Sequence, residues 1–433
     1  MSYKRLTNWG NYPAVEADLT EPASRDELLA GLSDGVIARG NGRSYGDASL
    51  GERVISMLKL DRIISIDEQV SIIECEAGTL LSTILEQIVP KGLFLPVSPG
   101  TKFITVGGAI AADVHGKNHH SEGSFTDHLE SFMLMTADGE ILKCSREENS
   151  ELFRSTCGGM GLTGVIISAR FRLKRIETSF IAQRSFKARD LAHAISLFDE
   201  HGSATYSVAW IDCLAKGKAR GRSLLLTGEH CPLSDLPPRL ASQKLRTSRQ
   251  PRLAVPFTLP AMTLNRFSVR AFNLLYYNRQ LAAERSGVVH YDPFFYPLDG
   301  IRNWNRIYGR PGFVQYQFVV PKAVSQAAID EVLGRVAASG EGSFLAVLKL
   351  FGKANVDAIM SFPMEGYTLA LDFRVSDEVF KLLDELDAVV ADAGGRIYLA
   401  KDARMKPEIF HRTYARTVAS GSFRSAQSDR LRY

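Results

Sequence analysis

The sequence predicts an α+β chain of two domains: short strands around glycine-rich loops come first, then an antiparallel sheet backed by helices. Three observations predict it. Glycine-rich segments near 40–47, 100–116 and 158–164 punctuate a region of short apolar runs. Near Thr178 the texture changes to longer elements richer in aromatic residues. Beyond that point a strand–helix–strand run is followed by strand–strand–helix, an order that builds a sheet with helices at its back. The expected division is residues 1–178, residues 179–395, and a polar tail, 396–433, that is too short for a domain and returns to the first one.

Taken in order, Ser24 caps a short helix and Glu27 completes a capping box. Val36-Ile37-Ala38 reads as a buried strand leading into the loop Arg39-Gly-Asn-Gly-Arg-Ser-Tyr-Gly-Asp47. Strands follow near 54–58, 63–67 and 71–76. Gly78-Thr79 caps a helix over 80–89, which Pro90-Lys91-Gly92 ends. The stretch Ser98 to Asp127 is glycine-rich and shows almost no helical periodicity. Strands at 129–136 and 140–144 form a hairpin across Ala137-Asp138-Gly139, where Asp-Gly signals a type I′ turn. A helical turn at 151–154, the segment Gly158–Gly164 and a strand over 165–174 close the first region. In the second, helices are expected at 191–200, 323–339 and 378–393, and strands at 207–212, 313–320, 344–351 and 368–373. The run 237–256 carries five basic residues, no acidic residue and four prolines, and reads as a mobile basic loop.

Composition excludes several classes. Fifty-two Lys+Arg against 48 Asp+Glu leave +4, too mild to indicate nucleic acid, and no nucleic-acid-binding motif supports it. Five cysteines without CxxC spacing argue against a disulfide framework or structural zinc and fit a reducing compartment. The N-terminal residues show no apolar signal region, and no window approaches the roughly 18 apolar residues of a membrane span. A cytoplasmic protein is expected.

Small side chains and turn amides in the 98–127 stretch suit a backbone cradle for a large, phosphate-bearing cofactor. It is no Rossmann turn, because Gly42 and Gly46 are separated by three residues where GxGxxG needs two and no helix signal follows. It is no Walker loop either, since Asn118 follows Gly116-Lys117. His115, His119 and His120 suggest metal at first sight, but no carboxylate shares their spacing and the loop is broken by glycine, so no metal is expected.

Three ordered motifs, RSYGD, PGT…TVGGAIAADVHG and GGMGLTG before a strand, resemble the p-cresol methylhydroxylase/vanillyl-alcohol oxidase superfamily. A closer resemblance runs through HGKNHHSEGSF, MTADGE, FVQYQFVVP, LKLFG, SFPMEGYTLALDF and YLAKDAR. These are similar to the oxidase-subunit family of decaprenylphosphoryl-ribose 2′-epimerases. The resemblance implies a two-domain fold of that superfamily, with FAD held by Gly40, Asn41, Gly42, Arg43, Ser44, Tyr45, Gly46 and Asp47, and by amides of Thr105, Val106, Gly107 and Gly108. Further cofactor contacts are implied for Gly100, Ala112, His115, Asn118, His120, Gly161, Ile167 and Tyr398. The first loop has no histidine, so dissociable FAD is expected.

The resemblance places Lys401 at the reactive end of the flavin. His115 sits beside the ring, either as acceptor of the hydroxyl proton or simply bonded to backbone. Gln317, Lys349 and Asp372 match substrate-pocket positions, with Tyr45, Lys117, Trp210 and Tyr296 as secondary candidates. Lys349 has the alternative of a solvent-facing lysine on an edge strand, and Lys401 that of a surface lysine paired with Asp402. Where family members carry a cysteine two residues before the aspartate, this chain has Ala370. The implied activity is oxidation of the ribose 2′-hydroxyl of a polyprenyl-phosphoribose, completed by a short-chain NAD(P)H-dependent reductase, with the basic loop near the inner membrane face. A soluble sugar, alditol or aldonolactone oxidase and a silent flavoprotein scaffold are the alternatives.

Overall fold

A computed structural model describes residues 3–248, 253–260, 265–355, 357–414, 416–417 and 421–433. The basic-loop expectation at 249–252 falls outside the described residues; around it, Pro238–Gln243 forms a 3₁₀ turn and the Ser179 amide donates to Lys244 O at 2.6 Å.

The N-terminal region holds two small sheets. In one, Tyr3–Thr7, Ala14–Thr20, Arg53–Ser56 and Val36–Arg39 lie in that order, the last three strands parallel. In the other, Ile63–Asp67, Ile72–Glu76, Val165–Arg172, Leu129–Met135 and Ile141–Ser145 are all antiparallel. A third, eight-stranded antiparallel sheet fills the second region. Its order is Glu284–His290, Phe180–Ala188, Ser223–His230, Tyr206–Ile211, Ala346–Phe351, Gly366–Arg374, Phe313–Pro321 and Arg396–Ile397. The fold is α+β, as the sequence predicts.

The large sheet has two different faces, as period-two alternation requires. Ala209, Leu225, Phe318, Ala346, Leu348, Leu369 and Leu371 point into a core completed by Ile329 and Leu333 of helix Ser325–Ser339 and by Leu383 and Leu386 of helix Asp377–Asp392. Their neighbours Gln183, Val208, Trp210, Leu226, Gln315, Gln317, Val347, Lys349 and Ala370 line a cavity instead.

Local expectations are corrected in five places. Glu27 reaches the amide of Ala23, not that of Ser24, so the box is open by one residue. The helix Leu81–Ile88 starts at Leu80 with no side-chain cap, because Thr79 Oγ1 donates to Arg62 O. The 137–139 turn is not type I′: only Gly139 has positive φ, with Gly139 N donating to Thr136 O and Thr136 N to Glu140 O. Within the 98–127 stretch, Val106–Ala111 is a helix, capped by the Thr105 hydroxyl and allowed by Gly107, which lies close on Ala77, and Gly108, which lies close on that hydroxyl. Several elements between 180 and 295 go unread from sequence, among them strands Phe180–Ala188, Ser223–His230 and Glu284–His290 and helices Arg266–Asn278 and Tyr291–Phe295.

Candidate functional site

Between the small sheets and the large one lies a cavity of about 540 Å³, within the range of small-molecule sites. At one end is the loop that follows strand Val36–Arg39. The amides of Gly40, Asn41, Gly42, Arg43 and Ser44 donate to no acceptor among the described residues, and all five residues line the cavity. Adjacent unspent amides form a nest for anionic oxygen. The loop is held from behind. Asn41 Nδ2 donates to Phe103 O at 2.8 Å, Tyr45 N to Ala400 O at 3.1 Å, and the Arg43 guanidinium lies 4.0 Å over the Trp9 ring. A Cβ on Gly40 would sit 2.3 Å from Thr105 Oγ1, and one on Gly46 1.5 Å from Asp402 O. The backbone therefore passes where no side chain fits. A Cβ on Gly100 would meet nothing within 4 Å, which leaves open space for a ligand. These features fit a dinucleotide cofactor.

The expected amide donors of Thr105–Gly108 need correction. Val106 N donates to Thr79 O at 2.9 Å, Gly107 N to Ala77 O at 2.8 Å, and Gly108 N to Thr105 Oγ1 at 3.2 Å. Thr105 N donates to no acceptor among the described residues and lines the cavity, so this segment adds one free amide to a close glycine wall, and the run of free donors belongs to 40–44.

At the other end, elements distant in sequence converge on His115. The turn before it is strained: Asp113 has φ of 37° and is fully buried. Its carboxylate accepts from Thr126 N at 3.1 Å, Thr126 Oγ1 at 2.6 Å and Ser361 Oγ at 2.5 Å, which fixes the turn. His115 Nδ1 lies 3.1 Å from Lys349 Nζ, and Nε2 lies 3.1 Å from Gln317 Nε2. With Lys349 an ammonium, Nδ1 accepts, Nε2 carries the proton, and the Gln317 amide turns its oxygen toward it. Lys401, after Tyr398, lies with Nζ 3.9 Å over the Tyr45 ring, while Asp402 pairs with Arg430 at 2.8 Å. The surface-lysine alternative is thus excluded. So is the edge-strand alternative for Lys349, whose strand lies inside the eight-stranded sheet.

Six basic side chains line the cavity (Arg39, Arg43, Lys117, Arg279, Lys349, Lys401) against one acidic, Asp299. Burial pushes Lys401 down to about 7, partly opposed by Asp372. Burial, with Lys117 and Lys401 nearby, also takes Lys349 to about 7. Lys117, whose Nζ donates to Phe294 O, falls to about 7 through burial alone. Burial raises Asp372 to about 7 despite bonds from Gln315 and Tyr308 and the charge of Lys401. His115 is held well below its ordinary value, first by burial, then by Lys349, His119 and Lys401. With both ring nitrogens engaged, it is poorly placed to accept a proton near neutral pH, which favours the bonded alternative, through side chains of Lys349 and Gln317.

Of the expected residues, Gly40–Tyr45, Gly100, Thr105, Gly107, Gly108, Ala112, His115, Lys117, Gly161, Trp210, Gln317, Lys349, Tyr398 and Lys401 line the cavity. Others are not brought there. Gly46 abuts Asp402, Asp47 pairs with Arg430 at 2.9 Å, and Val106 and Ile167 are core. Asn118 Nδ2 donates to Pro96 O, His120 Nε2 bonds Ala204 O at 2.7 Å, and Tyr296 Oη donates to Ser98 Oγ at 2.9 Å. Asp372 stands behind Gln315, which does line the cavity. Sequence reasoning missed Gln315, although it lies two residues from Gln317 on one strand and shares its face. Gln183, Tyr276, Arg279 and Trp304 were also missed, in or beside elements that go unread from sequence.

Comparison with known proteins adds the following. Residues 30–145 match the description of an FAD binding domain. A decaprenylphosphoryl-beta-D-ribose oxidase of Mycolicibacterium smegmatis is 38% identical over 426 residues, covering 95% of this chain and 92% of its own. An uncharacterized protein of Streptomyces coelicolor is 38% identical over 77% of this chain and 92% of its own. Mouse L-gulonolactone oxidase is 30% identical over 33% of each chain.

Proposed function

The chain belongs to the decaprenylphosphoryl-β-D-ribose oxidase family and is an FAD-dependent oxidoreductase, and from that premise we propose that it oxidises the ribose 2′-hydroxyl of a polyprenyl-phosphoribose to the 2′-ketone. The observation that carries this reading is the imbalance of six basic side chains to one acidic in a single cavity. That excess suits two anions, a cofactor diphosphate at the 40–44 nest and a substrate phosphate near Lys117 and Lys349. On this reading residues 1–178 hold the cofactor, 179–395 the substrate, and 396–433, after adding Arg396–Ile397 to the large sheet, returns Lys401 and Arg430 to the first region. A short-chain NAD(P)H-dependent reductase would return hydride to the opposite face of the sugar, completing a two-protein epimerisation.

Bound FAD supplies a two-electron acceptor for the alcohol carbon. The residues supply the rest. The Lys401 ammonium holds the alcohol oxygen and would stabilise negative charge on it. His115, locked between Lys349 and Gln317, positions Lys349 instead of serving as base. The large sheet and Trp210, whose Nε1 donates to Phe344 O at 3.0 Å, wall off water. Among the described residues no cysteine lines the cavity, and the lining histidine has both nitrogens engaged, which supports a dissociable cofactor. Acid precipitation should release free FAD.

Anaerobic mixing tests the proposal. Polyprenyl-phosphoribose should bleach the flavin, and Lys401→Ala should slow bleaching by about 10³-fold while keeping FAD bound. The partial match to L-gulonolactone oxidase motivates a second reading, an oxidase of soluble sugars or lactones. Faster bleaching by free pentoses or gulonolactone would favour it, and no bleaching by any alcohol would leave a non-catalytic scaffold.

A further inference from the structure

Helix Arg266–Asn278 is oriented oddly for a water-facing surface helix. Val269 and Asn273 point inward, Asn273 Nδ2 donating to Asp212 Oδ1 at 2.8 Å, and Tyr276 packs at a tilt of 46° against Trp210 with centroids 4.6 Å apart. The opposite side, where charge is expected, is apolar: Phe267, Leu274 and Leu275 are 66%, 49% and 72% exposed. Leu281, just beyond the helix, is 88% exposed. A second apolar group stands nearby. Leu253 and Phe257 are exposed on a segment bonded to the 301–306 turn through Val255 N to Arg302 O at 2.9 Å and Leu259 N to Arg306 O at 3.0 Å. Phe344 joins the two groups, touching Phe272 of the helix and Tyr308 of the turn.

Charge selects the occupant. From Leu236 to Ala283 the sequence has eight basic residues and no acidic one, and Arg266, Arg270 and Arg279 are exposed on or beside the helix. Apolar side chains projecting from a stretch of chain that carries basic and no acidic residues match an anionic lipid surface, where arginines meet headgroups and Phe and Leu enter the acyl boundary. A second copy of the chain would bring cation to cation. The patch is also continuous with the cavity, because Tyr276, Arg279 and Trp304 line it. We propose that this face docks the enzyme on an anionic bilayer with the cavity mouth turned to the membrane, so that a polyprenyl-phosphate sugar slides in headgroup first while its chain stays in lipid. The inference rests on the polyprenyl-substrate reading for its purpose, but not for the binding itself.

The experiment uses the FAD-loaded enzyme, its Phe267→Asp/Leu274→Asp/Leu275→Asp variant and its Arg266→Glu/Arg270→Glu variant. None of the five positions lines the cavity. Binding is read by cosedimentation with phosphatidylcholine vesicles, with and without phosphatidylglycerol. The expected result is binding only with phosphatidylglycerol, weakened about fivefold or more per reversed arginine and at least tenfold by the apolar triple change. Both variants should keep FAD content and flavin bleaching by a short-chain, water-soluble prenyl-phosphoribose, while KM rises for substrate presented in vesicles. Equal sedimentation of wild type and variants would overturn the proposal, as would a wild-type dimer in sedimentation velocity that the triple change dissolves. Vesicle binding without bleaching by either substrate would sink the substrate reading and leave the docking surface standing.

Discussion

At the scale of single residues, the site depends on lysines that are expensive to keep charged. Lys117, Lys349 and Lys401 all sit near 7 because burial disfavours the ammonium. In the free enzyme each loses its proton as pH rises through about 7, so kcat/KM should fall above that point if the ammonium forms do the work. An arriving phosphate restores the charged form, and binding should take up protons. Calorimetry of a phosphate-bearing analogue at pH 8, in buffers of different ionisation enthalpy, should show uptake, and Lys349→Met should reduce it. Release of protons would contradict the assigned roles. Ala370 makes a second prediction at this scale. It lies opposite Gln317 and Val347 in the sheet and lines the cavity. Ala370→Cys should admit one equivalent of a small thiol reagent, blocked by substrate, where the parent enzyme, whose five cysteines are buried, takes none in the cavity.

At the scale of elements, glycine decides whether the cofactor loop closes. Gly46→Ala would drive a methyl to 1.5 Å from Asp402 O, and neither backbone can yield cheaply. The variant should purify without flavin or fail to fold, as absorbance at the flavin bands and thermal melting will tell. Gly100→Ala, with nothing within 4 Å, should melt like the parent and lose only cofactor affinity. The same elements show what a sequence can tell. Strand Val165–Arg172 was readable from the alternation that begins at Ser168, and helix Leu191–Glu200 from its single period and its N-cap, Asp190. The glycine segments were readable because close backbone approach leaves few other choices of residue. Helix Val106–Ala111 was not: two glycines argue against a helix, and only the close approach of Gly107 to Ala77 and of Gly108 to the Thr105 hydroxyl makes them an advantage. Helix Arg266–Asn278 keeps a helical period and an Asn265 N-cap, so it was legible and was missed although its apolar Phe267, Leu274 and Leu275 face outward. Gln315 was legible by its spacing; the orphan amides of 40–44 could be seen only once every competing acceptor was in place.

At the scale of the whole molecule, the first loop and the last helix form one unit. Arg430, on helix Ala426–Leu431, bridges Asp47 at 2.9 Å and Asp402 at 2.8 Å, both carboxylates almost wholly buried. The Arg430 charge and those of Arg404 and the local amides keep Asp402 below its usual range despite burial. Arg430→Met would leave two buried carboxylates facing each other and should cost about 3–5 kcal/mol. Denaturant melts at pH 7.5 should show that loss, together with weaker FAD retention. Asp402 gains protons below its unfolded value only late, so its own contribution persists at neutral pH and fades in acid.

That bridge also sets a timetable. Tyr45 N waits for Ala400 O, and Asp47 for Arg430, so the nest at 40–44 cannot take its final shape while the intervening chain is still being synthesised. At ribosomal speed that interval is on the order of tens of seconds. Flavin capture therefore belongs to the end of biogenesis, and a ribosome stalled before the codon for Ala400 would display a nascent chain that binds no FAD.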